Sequence, residues 1–172
     1  MGFQILWAPW RSKYIKSIST ESKTKNECLF CLLPKRSDEE SLIIYRSRNV
    51  YVVLNAFPYT SGHIMVVPYR HVNSLEKLTD EELLELMKTV NISIKILREA
   101  LNPEGFNIGI NIGRPAGAGI EDHVHIHVVP RWTGDANFMT TIYNTRVLPV
   151  SLKETYNLLK KYFTKYEEAL DH

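Results

Sequence analysis

The segment Asp122-His123-Val124-His125-Ile126-His127-Val128-Val129-Pro130 constrains this chain more than any other. Side chains along a strand alternate between its two faces. An extended backbone here sends His123, His125 and His127 to one side and Val124, Ile126 and Val128 to the other. The aliphatic side needs a core to cover it. The imidazole side needs partners or a task, because each buried ring requires hydrogen bonds. Val124 to Val129 therefore reads as a strand in the heart of a sheet, stopped by Pro130, with apolar structure behind it and chemistry in front.

The flanking sequence supplies the rest of the sheet. Ile43, Ile44 and Tyr45 lead to Arg48-Asn49, and Val50 to Leu54 returns, so Ser41 to Asn55 reads as a β-hairpin. Ser61-Gly62 opens a strand from His63 to Val67, closed by Pro68. Phe106 to Ile112 alternates and reads as another strand. Thr79 and Glu82 form a capping box for a helix over Asp80 to Leu101. Leu83, Met87, Val90, Ile94, Leu97 and Leu101 share one of its faces. Asn102-Pro103-Glu104-Gly105 ends it. Ser151 and Glu154 repeat the capping pattern for a helix from Leu152 to Ala169, with Leu152, Leu159, Phe163 and Tyr166 as its stripe. Phe138 to Leu148 reads as irregular with one short strand. Short links between strands make the sheet mainly antiparallel, so the fold class is α+β with two main helices. The 172 residues suit one domain.

Net charge is +2, too small to draw a nucleic acid or a membrane by charge alone. An anionic ligand must be held by local geometry. Three readings of the histidine face stand open: satisfied half-buried rings, a three-histidine metal site, and nucleophilic catalysis at phosphorus. The last uses the neutral imidazole that dominates at pH 7. A neighbouring ring moves the proton to or from the leaving oxygen. The loop Gly113-Arg114-Pro115-Ala116-Gly117-Ala118-Gly119 runs into the histidine strand with little side-chain bulk. Its glycines let backbone N–H groups approach an anion. A loop of this kind beside this strand favours phosphorus chemistry.

The run from His123 to Val129 matches the H-φ-H-φ-H-φ-φ signature of the histidine triad (HIT) superfamily at every position, φ being an apolar residue. Asn55 and Ser61-Gly62-His63, leading into Ile64-Met65-Val66-Val67-Pro68, resemble the family's asparagine and fourth histidine. The resemblance covers residues 26 to 170. It implies a twisted antiparallel sheet that continues across a homodimer. It implies that His125 is the nucleophile, that His127 and His63 line the phosphate site, and that Asn55 and Asn111 contact ribose or phosphate. Gly117, Ala118 and Gly119 fall in its phosphate loop. Many family hydrolases carry Gln or Ser near position 119, where this chain has Gly119. That loop resembles the branch of diadenosine tetraphosphate phosphorylases and adenylyltransferases. So do Leu6-Trp7-Ala8-Pro9-Trp10-Arg11, Val129-Pro130-Arg131-Trp132, Gly134 to Met139 and Thr145 to Pro149. The implied reaction converts diadenosine tetraphosphate and inorganic phosphate to ADP and ATP through a nucleotidyl-histidine. A HIT-type hydrolase of dinucleoside polyphosphates or nucleoside phosphoramidates, and a slow nucleotide-binding module, stand as alternatives.

Cys28 and Cys31 are the chain's two cysteines, in one C-x-x-C. They make half a zinc site; a redox pair and two plain thiols are the other readings. HIT proteins with this C-x-x-C commonly add histidines at the places of His71 and His123. The resemblance thus implies structural zinc on Cys28, Cys31, His71 and His123. Mg²⁺ enters only as a companion of the substrate. Trp132, beside Arg131, is a candidate for stacking on a base, and Trp7 and Trp10 read as packing on the domain or a partner subunit. These two lie in an N-terminal arm, residues 1–27, of one domain spanning 1–172. The arm's apolar patch precedes its basic residues, the wrong order for a secretory signal. No apolar run approaches the roughly 18 residues of a membrane helix. The expectation is a cytoplasmic enzyme with no membrane or nucleic-acid partner.

Overall fold

A computed structural model describes residues 27–143, 145 and 147–170. The arm with Trp7 and Trp10 lies outside the described residues, apart from Glu27. The strands are β1 (Ile43–Arg46), β2 (Val50–Leu54), β3 (Ile64–Pro68), β4 (Gly105–Ile110) and β5 (Ile126–Arg131). They form one antiparallel sheet in the order β1-β2-β3-β5-β4. The helices are α1 (Leu29–Leu32), α2 (Asp38–Ser41), α3 (Asp80–Leu101), α4 (Phe138–Tyr143) and α5 (Leu152–Leu170). The α+β expectation holds, with α3 and α5 as the two main helices.

Alternation sorts the sheet's side chains into two layers. Val52, Leu54, Ile64, Val66, Ile126 and Val128 join Leu86, Val90 and Leu97 of α3 and Leu159 and Phe163 of α5 in the main core. Tyr51, Val53, Met65 and Val67 point the other way and pack with Phe30 of α1. This second layer is the floor of the site. Pairing of β1 with β2 slips between Ile43 and Tyr45. The bulge puts Ile44 and Tyr45 in the helix-side core together and leaves Ile43 in the other layer.

Both long helices start at the expected capping boxes. Thr79 Oγ1 accepts the Glu82 N–H while the Glu82 carboxylate takes the Thr79 N–H. Ser151 and Glu154 do the same for α5. Such a cap contributes about 1 kcal/mol. The buried face of α3 is rotated from the expected one. Leu86, Thr89, Val90, Ser93, Ile96 and Leu97 are buried, whereas Met87 is 53% exposed. Thr89 and Ser93 are small hydroxyl residues on the packed face, and a stripe drawn through large aliphatic residues passes them by.

Three expected boundaries shift. β5 starts at Ile126, not Val124, and runs through Pro130 to Arg131. Pro130 lacks only the N–H; its carbonyl accepts from Thr60 Oγ1 at 2.7 Å. β4 ends at Ile110, not Ile112. The segment expected to be irregular with a short strand contains helix α4, because Asn137 caps it, its Oδ1 accepting from Met139 N and its carbonyl from Thr141 N. The β-branched residues Thr140, Thr141 and Ile142 read as strand only when that cap is overlooked.

Candidate active site

The late start of β5 shapes the site. His123, Val124 and His125 precede the strand, anchored by the Val124 N–H on the Val72 carbonyl at 2.7 Å. The side chains still alternate, since Val124 lies in the helix-side core while His123 and His125 both meet the ring of Phe30. The His123 carbonyl accepts from His125 Nδ1 at 2.9 Å. A carbonyl can only accept, so Nδ1 carries the proton and Nε2 keeps its lone pair. Burial pulls the His125 pKa below its ordinary value and keeps the ring neutral. Such a ring can attack through Nε2 without a separate base.

His127 and His63 form a directed proton path beside it. The Tyr59 N–H and Asn55 Nδ2 both reach His63 Nδ1, at 3.2 and 3.3 Å. Asn55 is oriented by the Phe57 N–H on its Oδ1 at 3.0 Å. With Nδ1 accepting, His63 donates from Nε2 to His127 Nδ1 at 2.9 Å. A neutral His127 ring that accepts at Nδ1 holds its proton on Nε2. The His63 pKa is pushed down to about 3, first by burial, then by the neighbouring His127 and His125. The His125 and His127 ring centres are 4.8 Å apart, and those of His127 and His63 are 5.1 Å apart. Chemically, such an arrangement can give up or take a proton at His127 Nε2 while His63 stays neutral.

Gly62 sets the entry of β3. Its φ is +78°, and a Cβ there would stand 2.3 Å from Leu101 Cδ1 of α3. Only glycine fits this approach of loop to helix. Beyond His127 a cleft of about 320 Å³ runs over β4 and β5, lined in part by Tyr59, Asn107, Asn111 and Arg131. Asn111 and His127 were expected near the ligand; Tyr59, Asn107 and Phe30 were not singled out. Their only signals were loop and strand positions beside the histidines. The loop holding Gly117, Ala118 and Gly119 turns tightly over Arg114–Ala116, with Gly113 and Gly117 at positive φ. Trp132 lines neither the cleft nor the histidine cluster; its indole N–H donates to the Asn102 carbonyl at 3.2 Å.

Cys28, Cys31, His71 and His123 bring their ligand atoms within 4.8 Å of one another. Sulfur-to-nitrogen separations are 3.4 Å for Cys28–His123, 3.4 Å for Cys31–His71 and 3.6 Å for Cys31–His123. The two Nδ1 atoms are 3.4 Å apart. Tetrahedral zinc, with bonds of about 2.3 Å to sulfur and 2.0–2.1 Å to nitrogen, spaces S and N by about 3.5 Å and two N by about 3.4 Å. The donor set fits that ion. His123 Nε2 donates to the Pro68 carbonyl at 2.8 Å, which leaves Nδ1 as its ligand atom. Burial pushes the Cys28 thiol up to about 11, so the thiolate there needs a cation.

The HIT domain family model matches residues 36–134. AP-4-A phosphorylase of Mycobacterium tuberculosis (strain ATCC 25618 / H37Rv) is 44% identical over 160 residues, covering 91% of this chain and 82% of that protein. The asymmetrical bis(5'-nucleosyl)-tetraphosphatase of Schizosaccharomyces pombe is 32% identical over 104 residues, 60% of this chain and 57% of that protein. A zinc-bound histidine triad family protein from Mycobacterium smegmatis superimposes with a TM-score of 0.67 at 29% identity, covering 83% of this chain and 97% of that one. With the family model over more than half of its length and the histidine cluster folded as described, the chain belongs to the HIT family.

Proposed function

We propose that the protein is a nucleotidyltransferase of the phosphorylase type, converting diadenosine tetraphosphate and inorganic phosphate to ATP and ADP. The observation that carries the reading is the hydrogen bond from His125 Nδ1 to the His123 carbonyl, which leaves Nε2 as the nucleophilic nitrogen. Nε2 attacks one α-phosphorus. An N–P bond forms, the bridging P–O bond breaks, and ATP leaves with the proton of His127 Nε2 on its oxygen. The positive charge that develops on the His125 ring spreads to Nδ1–H, where the carbonyl faces it. An oxygen of phosphate then attacks the same phosphorus. The N–P bond breaks, ADP departs, and the proton of the phosphate returns to His127 Nε2.

The similarity to the mycobacterial AP-4-A phosphorylase supports phosphate, rather than water, as acceptor. Zinc on Cys28, Cys31, His71 and His123 supplies structural rigidity when bound, and these residues hold the segment that carries His125. Among the described residues the edge strand β4 pairs only with β5, which suits a sheet continued by a second copy. We place the reaction in the cytoplasm, where a C-x-x-C stays reduced and open to a metal. Chromatography of products across a phosphate titration tests the acceptor. Rate and ADP yield rise together with phosphate, and little AMP forms. A rate and an AMP yield indifferent to phosphate make the protein a hydrolase.

A further inference from the structure

The cysteine pair is placed for more than holding a metal. Cys28 and Cys31 are both half-buried, so solvent reaches each of them. They flank the single turn of α1, which the N–H groups of Cys31 and Leu32 close on the Cys28 carbonyl at 3.0 and 3.1 Å. That turn sets both sulfurs on one side, within 4.8 Å of each other. The exposed His71 stands beside Cys31, while the buried His123 has its Nδ1 at 3.4 and 3.6 Å from the two sulfurs. The cluster therefore has an open side toward solvent and a closed side toward the histidine row. A dissolved oxidant meets the first, and the consequence falls on the second.

The closed side leads to His125 by two routes. Phe30 lies between the cysteines in sequence. The Tyr51 hydroxyl donates to its carbonyl at 2.7 Å, and its ring centre is 4.7 Å from that of His125. The second route is His123, whose backbone carbonyl accepts from His125 Nδ1. The His123 ring is held at Nε2 by the Pro68 carbonyl and at Nδ1 by the cysteine side of the cluster. Once both sulfurs turn to each other and the ion is gone, Nδ1 keeps only the exposed His71 as a hydrogen-bonding neighbour among the described residues. A buried ring nitrogen without a firm partner is costly, so the ring turns or water enters. The His123 carbonyl moves with it, and the tautomer of His125 is no longer fixed.

We propose that Cys28 and Cys31 are an oxidation site for hydrogen peroxide, and that closing them into a disulfide releases the metal and disarms His125. The Cys31 thiolate, on the open side, attacks a peroxide oxygen. An S–O bond forms, the O–O bond breaks and hydroxide leaves. The Cys28 thiolate then attacks the sulfenic sulfur; the S–S bond forms, the S–O bond breaks and a second hydroxide leaves. Two electrons pass from sulfur to peroxide, and the two hydroxides balance the charge of the zinc ion set free. The inference rests on the reading of the four ligands as a zinc site and of His125 as the nucleophile. It adds the condition under which the enzyme stops. The test treats the full-length, zinc-loaded protein with hydrogen peroxide and needs no substrate, so a failure of the transferase reading leaves it readable. A chromogenic chelator reports zinc, and peptide mass reports the cysteine pair. Nitrogen-15 imidazole NMR reports the tautomer of His125, its signal assigned by its absence in His125→Asn. About one zinc leaves for each peptide that loses the two thiol hydrogens, and the His125 signal departs from the Nδ1–H pattern. A dithiol with added zinc restores all three. Nucleotidyl transfer falls in step, on the order of tenfold or more, as for a displaced nucleophile. Disulfide formation with an unchanged His125 signal overturns the proposal. So do full zinc and reduced cysteines at a peroxide dose that oxidises free glutathione, and oxidation to sulfonate that the dithiol does not reverse.

Discussion

His63 is the residue on which the electrostatics of the site turn. Its ring is fully buried, and its pKa of about 3 lies far below the ordinary value near 6.5. Between these values the unfolded chain binds a proton that the folded chain does not, so stability falls as pH falls through that window. The contribution is intact above pH 6.5. Between pH 7 and pH 5 it costs about 2 kcal/mol, at roughly 1.4 kcal/mol per unit below 6.5. His63→Gln removes this dependence. Urea unfolding at pH 7 and pH 5 should show a larger drop for the wild type than for the variant. Protonation of the cysteine–histidine cluster is common to both proteins and cancels in the comparison. Equal drops contradict a ring held neutral by burial.

At the scale of elements, the short helix α1 and the segment before β5 act as one unit. Phe30 of α1 touches His123 and His125, and Cys28 and Cys31 flank it. A metal on the four ligands ties α1 to the turn after β3 and to the start of the histidine segment. Cys28→Ser should lose about one zinc per chain and lower the melting temperature by roughly 10 °C, as the loss of a few kcal/mol does in a domain of this size. Metal analysis with thermal unfolding checks it; full zinc with unchanged melting leaves the cysteines as plain thiols. Much of this was legible in the sequence. The alternation from His123 to Val128 gave the faces correctly, and the Thr79 and Ser151 boxes gave the starts of both long helices. The register of β5 was not legible, because side-chain alternation persists through His123 to His125 where ladder pairing does not. Those unpaired residues free the His123 carbonyl for His125. The Tyr59 and Asn107 contacts also escaped, since they arise from a loop and an edge strand meeting only in space.

For the whole molecule, the sheet ends in β4, where Asn107, Ile108 and Gly109 are exposed. Among the described residues this edge has no further strand on it, and an exposed strand edge invites pairing. The full chain of 19.9 kDa should sediment at twice that mass, and a single-chain mass contradicts the joined sheet. Among the described residues no helix is long and apolar enough to cross a membrane. The central claim is that His125 carries the nucleotidyl group between two phosphate chemistries. Peptide mass analysis of protein mixed with diadenosine tetraphosphate in phosphate-free, alkaline-quenched reactions tests it most directly. The account predicts AMP on the peptide containing His125, its disappearance on adding phosphate, and a matching amount of ADP. His125→Ala should form no adduct and lose at least about a thousandfold in rate. Turnover with no mass on that peptide, or an adduct on another residue, contradicts the account.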